Sequence, residues 1–393
     1  MSEEFGKERF RIAAMIDLFW NFKRHTDLFA GIVRYTQEHA DLRCVVDDFA
    51  DRTLAQQSRK QRIYDAVIGR VTPELAAQAG RRKLPLVNVW LSSPVKNLIS
   101  VLPDENRAGQ LLAEHLIHRG IRRFLCLTRR GDLGERQLAS RVVTTVTAEG
   151  CTCDTIRVPL LFAHTHAQWI KTRAQIEEWL GRTPMPVGIV VGVDIMARHG
   201  AQISHGLGLR VPQDVAVAGG YNEPTICLYP EPSITSIEYG YDHVGYEAAR
   251  LVHQMLLGGQ VEQRSYLIPP RELVVRQSSD FIYVDEPIVS AAMRFIAQNV
   301  RHSIGVQDVA LAAGASRRTL EQRFQAHLHR SVGAEIRRVR IEHAKRLITG
   351  SKLTFSQIAN LVGFATPQYM ARVFQQEVGL APREYRRQRM GNR

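Results

Sequence analysis

Cysteines, long apolar runs and catalytic signatures are scarce in this 393-residue sequence. Its five cysteines, Cys44, Cys126, Cys151, Cys153 and Cys227, form no disulfide framework, and their odd number leaves one over. A reducing compartment suits them. The Cys151-x-Cys153 pair, with His164 and His166 nearby, matches no zinc-module spacing, so no metal is expected. No apolar run reaches the roughly 18 residues that span a membrane. The opening MSEEFGKERF mixes both charge signs and Asp17 breaks the apolar stretch after Arg11, so no signal peptide is expected. The location is therefore read as cytoplasmic, with no membrane partner. There is no phosphate-binding P-loop, no Gly-x-Ser-x-Gly elbow and no His-Glu-x-x-His pair. Neither enzyme activity nor a cofactor is expected.

A hydrophobic fraction of 45% argues for ordinary globular cores, and the length argues for two or three domains. The charge is uneven. Of a net +13, the stretch from Asp285 to Arg393 holds 18 Lys+Arg against 8 Asp+Glu, a net of +10. The first 284 residues are nearly neutral at +3. Most of the tail's cations are arginines, whose planar fork suits phosphates and guanine edges. A polyanionic partner for the tail is the expectation.

Hydrophobic patterning changes at the same place. Before residue 280, short apolar runs (Ile12–Ile16, Ala66–Ile68, Leu86–Val89, Phe124–Leu127, Ile189–Val191, Val215–Ala218) alternate with amphipathic stretches. One such stretch is Asp104–Gly120, with a start signal at Asp104 and a stop at Gly120. Buried strands alternating with helices predict a parallel sheet covered on both faces. After residue 286 only helical periodicity remains. The segment Gln277–Pro287 reads as the joint, with an α/β domain over 1–280 and an all-α domain over 281–393.

The basic tail contains one pattern twice. Val309-Ala310-Leu311-Ala312-Ala313-Gly314-Ala315-Ser316 is matched by Ile358-Ala359-Asn360-Leu361-Val362-Gly363-Phe364-Ala365-Thr366. Each predicts a short helix stopped by glycine, a turn, and a second helix capped by a hydroxyl, with Phe324 or Phe374 on its buried side. This is the layout of a helix-turn-helix, whose second helix enters the DNA major groove. The units are predicted over about 306–327 and 355–377, joined by a helix over about 333–348. The stretch Ile358-Ala359, Gly363-Phe364, Phe374, Gly379, Pro382 and Tyr385-Arg386 resembles the signature of AraC/XylS-type DNA-binding domains. By position, Arg318, Gln322, Gln368 and Arg372 have the reach to read bases, and Thr319 and Tyr369 stand on the same helices. Ser316, Arg317 and Thr366 are placed for phosphates. Pro367 and Ala371 depart from a polar reading surface.

In open parallel sheets ligands gather at the carboxyl ends of strands. Those ends here carry Asp17, Trp20, Asp48, Arg70, Trp90, Asp194, Asn222 and Glu223, a mixture that suits the hydroxyls and C–H faces of a sugar. Two further stretches, Asp104 to Arg123 and Val211-Pro212-Gln213-Asp214-Val215-Ala216-Val217 through Gly220-Tyr221-Asn222, resemble the sensor domains of lactose-repressor-type proteins. So does Pro232-Ser233-Ile234-Thr235-Ser236-Ile237. The resemblance implies a two-lobed fold of the type I periplasmic-binding-protein kind, with ligand between the lobes. It implies ligand contacts at Asp194 and Asn222, an arginine that is either Arg136 or Arg141, and a stacking aromatic near Trp169.

Sensor first and double helix-turn-helix last is similar to the arrangement of xylose-operon-type regulators. That resemblance implies a transcriptional activator of a pentose operon. The implied partners are double-stranded operator DNA, a small xylose-like sugar, a second copy of the chain and RNA polymerase. The alternative is a sugar-binding protein or a sugar-processing enzyme with a nucleic-acid-binding appendage.

Overall fold

The computed structural model describes residues 9–19, 22–56, 63–159, 165–229 and 231–390. The chain divides into two compact units, one ending at Asp280 and one beginning at Phe281. The first unit is built on two six-stranded sheets. Its strands are β1 (Phe10–Met15), β2 (Leu42–Val46), β3 (Ala66–Gly69), β4 (Leu86–Asn88), β5 (Ser100–Pro103) and β6 (Arg123–Arg129). They continue as β7 (Thr152–Val158), β8 (Val187–Val191), β9 (Val215–Gly220), β10 (Thr235–Glu238), β11 (Ser265–Ile268) and β12 (Glu272–Val274). The first lobe's sheet runs β11-β5-β4-β3-β1-β2 and the second lobe's runs β12-β10-β9-β8-β6-β7. All pairings are parallel except β10 with β12. Central strands such as β3, β8 and β9 are buried along their whole length, as strands covered on both faces must be.

The chain crosses between the sheets three times: after β5, after β10, and between β11 and β12. Each lobe is therefore composite. The helix Tyr241–Leu256 and strand β11, late in sequence, complete the first lobe's core through Val244, Ala248, Val252 and Ile268. The three crossings lie side by side. The Asp104 N–H bonds the Ile268 carbonyl at 2.8 Å and the Arg271 N–H bonds the Glu238 carbonyl at 2.8 Å. The Tyr239 hydroxyl donates to the Glu105 carboxyl.

Helix signals were legible where caps were. Asp104 caps the helix Glu105–His118 by accepting the Arg107 N–H at 2.9 Å, and Gly120 takes φ 90° beyond its end. The segment read as a joint behaves differently at its start. Ser278 and Ser279 are fully buried in the first unit, because their hydroxyls take up otherwise orphaned polar groups of the sheet: Ser278 bonds the Val217 carbonyl and the Thr235 N–H, and Ser279 bonds Thr235 and His115. Serines mimic a linker in composition, but these are interior.

The second unit is all helical: Pro287–Asn299, Val306–Ala312, Arg317–Leu328, Val332–Gly350, Phe355–Leu361, Pro367–Val378 and Pro382–Met390. It has two cores. Val289, Ile296, Leu320, Phe324 and Ile336 belong to one, and Ile341, Ile348, Ile358, Phe364 and Phe374 to the other. The 19-residue helix Val332–Gly350 contributes to both and, at 1.5 Å per residue, is about 28 Å long.

The helices Lys23–Glu38 and Tyr241–Leu256 cross in near backbone contact. A Cβ on Gly31 would lie 1.9 Å from the Asp242 carbonyl oxygen, and one on Gly245 would lie 1.9 Å from the Leu28 carbonyl oxygen. Gly245→Val is expected to destabilise the first unit by roughly 3 kcal/mol or more, the upper end of overpacking costs. Urea unfolding followed by tryptophan fluorescence measures this; an unchanged midpoint refutes the close-packed crossing.

Candidate ligand cleft and nucleic-acid interface

A cavity of about 310 Å³ opens between the lobes, near the lower limit of small-molecule pockets. Its first-lobe wall is formed by Arg24 and His25 from the start of a helix, Arg70 after β3, and Trp90 and Ser92 after β4. The second-lobe wall carries Arg129, Asp132 and Tyr221, and the crossings supply Pro103, Glu105 and Tyr241. A neighbouring space of about 560 Å³ shares Arg70 and Trp90 and adds Asp17, Phe19, Asp48 and Phe49.

Local chemistry positions these groups. Arg70 lies over the Trp90 ring at 4.7 Å and reaches Asp17 at 3.6 Å. Asp17, at φ 66°, is held there by its N–H to the Asp48 carboxylate at 2.8 Å, and its carbonyl bonds His25 Nδ1 at 3.1 Å. Such left-handed backbone at a non-glycine residue costs energy and persists only when its surroundings enforce it. Tyr221 and Asn222 are also left-handed, at φ 83° and 50°. On the opposite wall the Arg129 Nε meets Glu135 at 2.5 Å and its Nη2 meets Asp132 at 3.0 Å. Asp132 caps the helix Leu133–Ala148, whose first N–H lies 3.4 Å from Ser92 Oγ across the cleft.

Lys23 is a second link between lobes. Its ammonium bonds Glu238 and Asp27, both at 2.8 Å, and its backbone N–H bonds Glu223 at 3.1 Å. These charged contacts raise its proton affinity against the opposing effect of burial, the largest single influence. Glu238 in turn accepts from Asn222 Nδ2 at 2.8 Å, and Arg276 donates to Asn222 Oδ1 at 2.5 Å.

Sequence reading and geometry agree unevenly. Asp17 and Trp90 line the cavities, as do Arg70 and Asp48. Trp20 lies outside the described residues. Asp194 is buried away from the cavity lining, accepting from Ser236 Oγ at 2.5 Å and from the Glu223 N–H at 2.8 Å. Burial raises its pKa to about 6. Asn222 is committed to Glu238, Arg276 and Ser236 rather than to the lining. Neither alternative for the cleft arginine lines it. Arg136 is exposed on the helix Leu133–Ala148, and Arg141 on the same helix donates to Gln110 at 2.9 Å. The cleft's arginines are Arg24, Arg70 and Arg129. Only Arg70 was legible, because strand ends are readable and side-chain directions at helix starts are not. Trp169 packs on His199, ring centroids 4.4 Å apart, beside the second lobe's core.

In the tail, Gly314 and Gly363 take φ 64° and 80°, turning each short helix into the next. Ser316 and Thr366, expected at phosphates, spend their hydroxyls as caps on the Thr319 and Tyr369 N–H groups, both at 3.1 Å. Pro367 fits because it occupies the helix's first turn, where no N–H is needed. Arg317, Arg318, Gln322, Gln368, Tyr369 and Arg372 are exposed, with Arg372 over the Tyr369 ring at 5.2 Å; Thr319 is half-buried. Other tail cations are structural. Arg338 pairs with the fully buried Glu335 at 2.9 Å. Arg340 bonds the Val300, His302 and Ile304 carbonyls, and Arg386 bonds the Ile348 and Leu353 carbonyls.

Comparison with known proteins bears on both units. Residues 113–279 match a periplasmic binding protein-like domain and residues 309–388 match a helix-turn-helix domain. The xylose operon regulatory protein of Haemophilus influenzae (strain Rd) is 32% identical over 222 residues, 56% of this chain and 57% of that protein. The chain is similar to that regulator over this stretch. Its counterpart in Escherichia coli K12 is 30% identical over 218 residues, 56% of each chain. The chain thus spans little more than half the length of the curated relatives it matches. The structure of the xylose-binding transcription activator xylR aligns over 96% of this chain and 98% of its own, with a TM-score of 0.68 and 23% identity. The cellobiose complex of the regulator CelR aligns over 70% of this chain and 86% of its own, with a TM-score of 0.56 and 19% identity. These likenesses establish the expected fold, a two-lobed periplasmic-binding-protein-like unit followed by a helical helix-turn-helix unit. No helix among the described residues is long and apolar enough to cross a membrane, and no metal-binding cluster occurs among them.

Glu105 yields a pH prediction. Burial, then the nearby carboxylates Asp132, Glu135 and Asp104, raise its pKa to about 8, against the opposing Tyr239 hydrogen bond. It is protonated in the folded chain at neutral pH and ionised in the unfolded chain above its ordinary value near 4.5. Its contribution is therefore intact below that value and declines as pH rises toward 8, on the order of 1 kcal/mol per pH unit. Denaturation midpoints of the wild type should fall over this range relative to Glu105→Gln. Parallel pH profiles for the two proteins would contradict a buried, protonated Glu105.

Proposed function

We propose that this chain is a sugar-responsive, DNA-binding transcription regulator that activates a pentose catabolic operon, with a xylose-like effector. The observation that carries this reading is the pairing of an interlobe cleft with two exposed, hydroxyl-capped helices fixed to one rigid rod. Successive major grooves on one face of B-DNA are about 34 Å apart, and a rod of about 28 Å is of that order. The names of the relatives support the operon class, and the cleft's aromatic and charged lining supports a hydroxyl-bearing ligand.

Effector acts by binding one lobe arrangement better than another; a coupling of about 1–3 kcal/mol changes DNA occupancy substantially. Arg318, Gln322, Gln368 and Arg372 read bases, and Arg317 contacts phosphate. Two chains on adjacent half-sites gain effective concentration, so the regulator acts as a homodimer in the cytoplasm and contacts RNA polymerase as an activator. It performs no catalysis.

Mobility-shift titrations test this in two ways. Operator affinity should change several-fold on adding one member of a monosaccharide panel, and identical binding across the panel rejects the sensor. Arg318→Ala and Arg372→Ala should each cost about 1–3 kcal/mol on operator DNA and relax base preference. Arg317→Ala should instead weaken all sequences alike and reduce the salt slope. Retention of full specificity by both base-reading variants rejects those helices.

A further inference from the structure

We propose that Cys126 and Cys153 form a redox-active dithiol on the second lobe, a modification site at which a peroxide oxidises Cys153 and Cys126 then closes a disulfide onto it. Their sulfurs are in contact, Sγ to Sγ, at 3.6 Å. Neighbouring strands of one sheet bring them together. Cys153 of β7 stands opposite Phe124 of β6, and Cys126 of β6 stands opposite Thr155, so all four project from one face and the thiols meet across the diagonal. The two differ in access. Cys126 is buried in the middle of β6, whereas Cys153 is half-buried on the edge strand β7, whose Thr152, Asp154, Thr155 and Arg157 are exposed. Neither lines the cleft, so the pair stands apart from the effector site.

The contact divides the roles of nucleophile and resolving thiol. The Cys126 S–H donates to the Cys153 sulfur, which lowers the proton affinity of Cys153 against the opposing effect of burial. Cys126 holds its own proton more tightly through the same bond and through burial. A thiol that ionises readily and meets solvent, with a second thiol poised beside it, is the arrangement that peroxides oxidise reversibly. The Cys153 sulfur attacks one peroxide oxygen: the S–O bond forms, the O–O bond breaks, and the other oxygen leaves with the thiol proton as water or an alcohol. The Cys126 sulfur then attacks the Cys153 sulfur: the S–S bond forms, the S–O bond breaks, and the hydroxyl leaves with the Cys126 proton as water. Two thiols are oxidised and one peroxide is reduced. The native contact already holds the second sulfur close to its bonding approach. Because the thiols stand diagonally, the bond draws β7 along β6, which a strand paired on one side only permits. A disulfide strained in this way is easily reduced, as a reversible modification requires. The remaining cysteines are poorly placed for this chemistry. Burial raises the Cys44 thiol to about 11 and raises that of Cys227 as well, and Cys151 is buried.

Peptide mapping of the full chain tests the assignment. After brief exposure to hydrogen peroxide and blocking of free thiols with N-ethylmaleimide, mass spectrometry should find a linked Cys126–Cys153 peptide pair that dithiothreitol releases. Cys44, Cys151 and Cys227 should carry the blocking group. Without peroxide, iodoacetamide should label Cys153 about tenfold or more faster than any other cysteine. Cys126→Ser should leave Cys153 as a sulfenic acid that dimedone captures, and Cys153→Ser should leave Cys126 reduced; circular dichroism checks that both variants fold. The wild-type map stands without either variant. A pair that stays reduced under peroxide, whether or not another cysteine oxidises, overturns the dithiol. So does a Cys153 that passes to the sulfinic acid without linking to Cys126.

Discussion

The Tyr239 hydroxyl donates to the Glu105 carboxyl where two of the crossings between the sheets of the first unit meet. Both side chains are buried, and each lies at a crossing between the two sheets. The third crossing is tied in by backbone bonds from Asp104 to Ile268 and from Arg271 to Glu238. The lobes are thus joined by three short crossings hydrogen-bonded to one another. The cleft lies against them, so Pro103, Glu105 and Tyr241 are both crossing and lining. Protonation of Glu105 follows from the same placement, because a dry crossing cannot solvate a carboxylate.

The second unit solves a different problem with one rigid element. Two small cores share the helix Val332–Gly350. It lies between the helices Arg317–Leu328 and Pro367–Val378 in the chain. Arginines that cross-link the unit, such as Arg340 and Arg386, bond backbone carbonyls at helix ends, where a cation also meets the negative end of the helix dipole. The tail's positive charge is therefore shared between holding the fold and facing solvent on the helices Arg317–Leu328 and Pro367–Val378.

Much of this was legible in the sequence, for identifiable reasons. Buried parallel strands are uniformly apolar, so β1, β3, β8 and β9 announced themselves. Glycine and hydroxyl punctuation at Gly314-Ala315-Ser316 and Gly363-Phe364-Ala365-Thr366 marked both turns, because φ near 60–80° and an N-cap each demand few residue types. Asp17 and Trp90 stand at strand ends, where ligands gather. The differences in placement have physical causes too. Asp194 and Asn222 also stand near strand ends, but Ser236 and Glu238 on β10 and Arg276 just past β12 draw them inward. Arg136 and Arg141 occupy the right helix but face other surfaces, a rotation that local pattern does not encode.

Composition and local pattern by themselves determined the class of each unit, the charge asymmetry between them, the place of six of the strands and the paired turns. All of these rest on interactions within a few residues of one another or on solvent preference. Only the tertiary structure decided which arginines face the cleft, that Glu105 is kept protonated, and that Arg24 stands there, among the described residues, with no carboxylate at ion-pair distance. Those properties are sums over groups brought together from both halves of the chain by the crossings between lobes. A charge's partners and its distance from water are set by packing, which no single stretch of sequence contains.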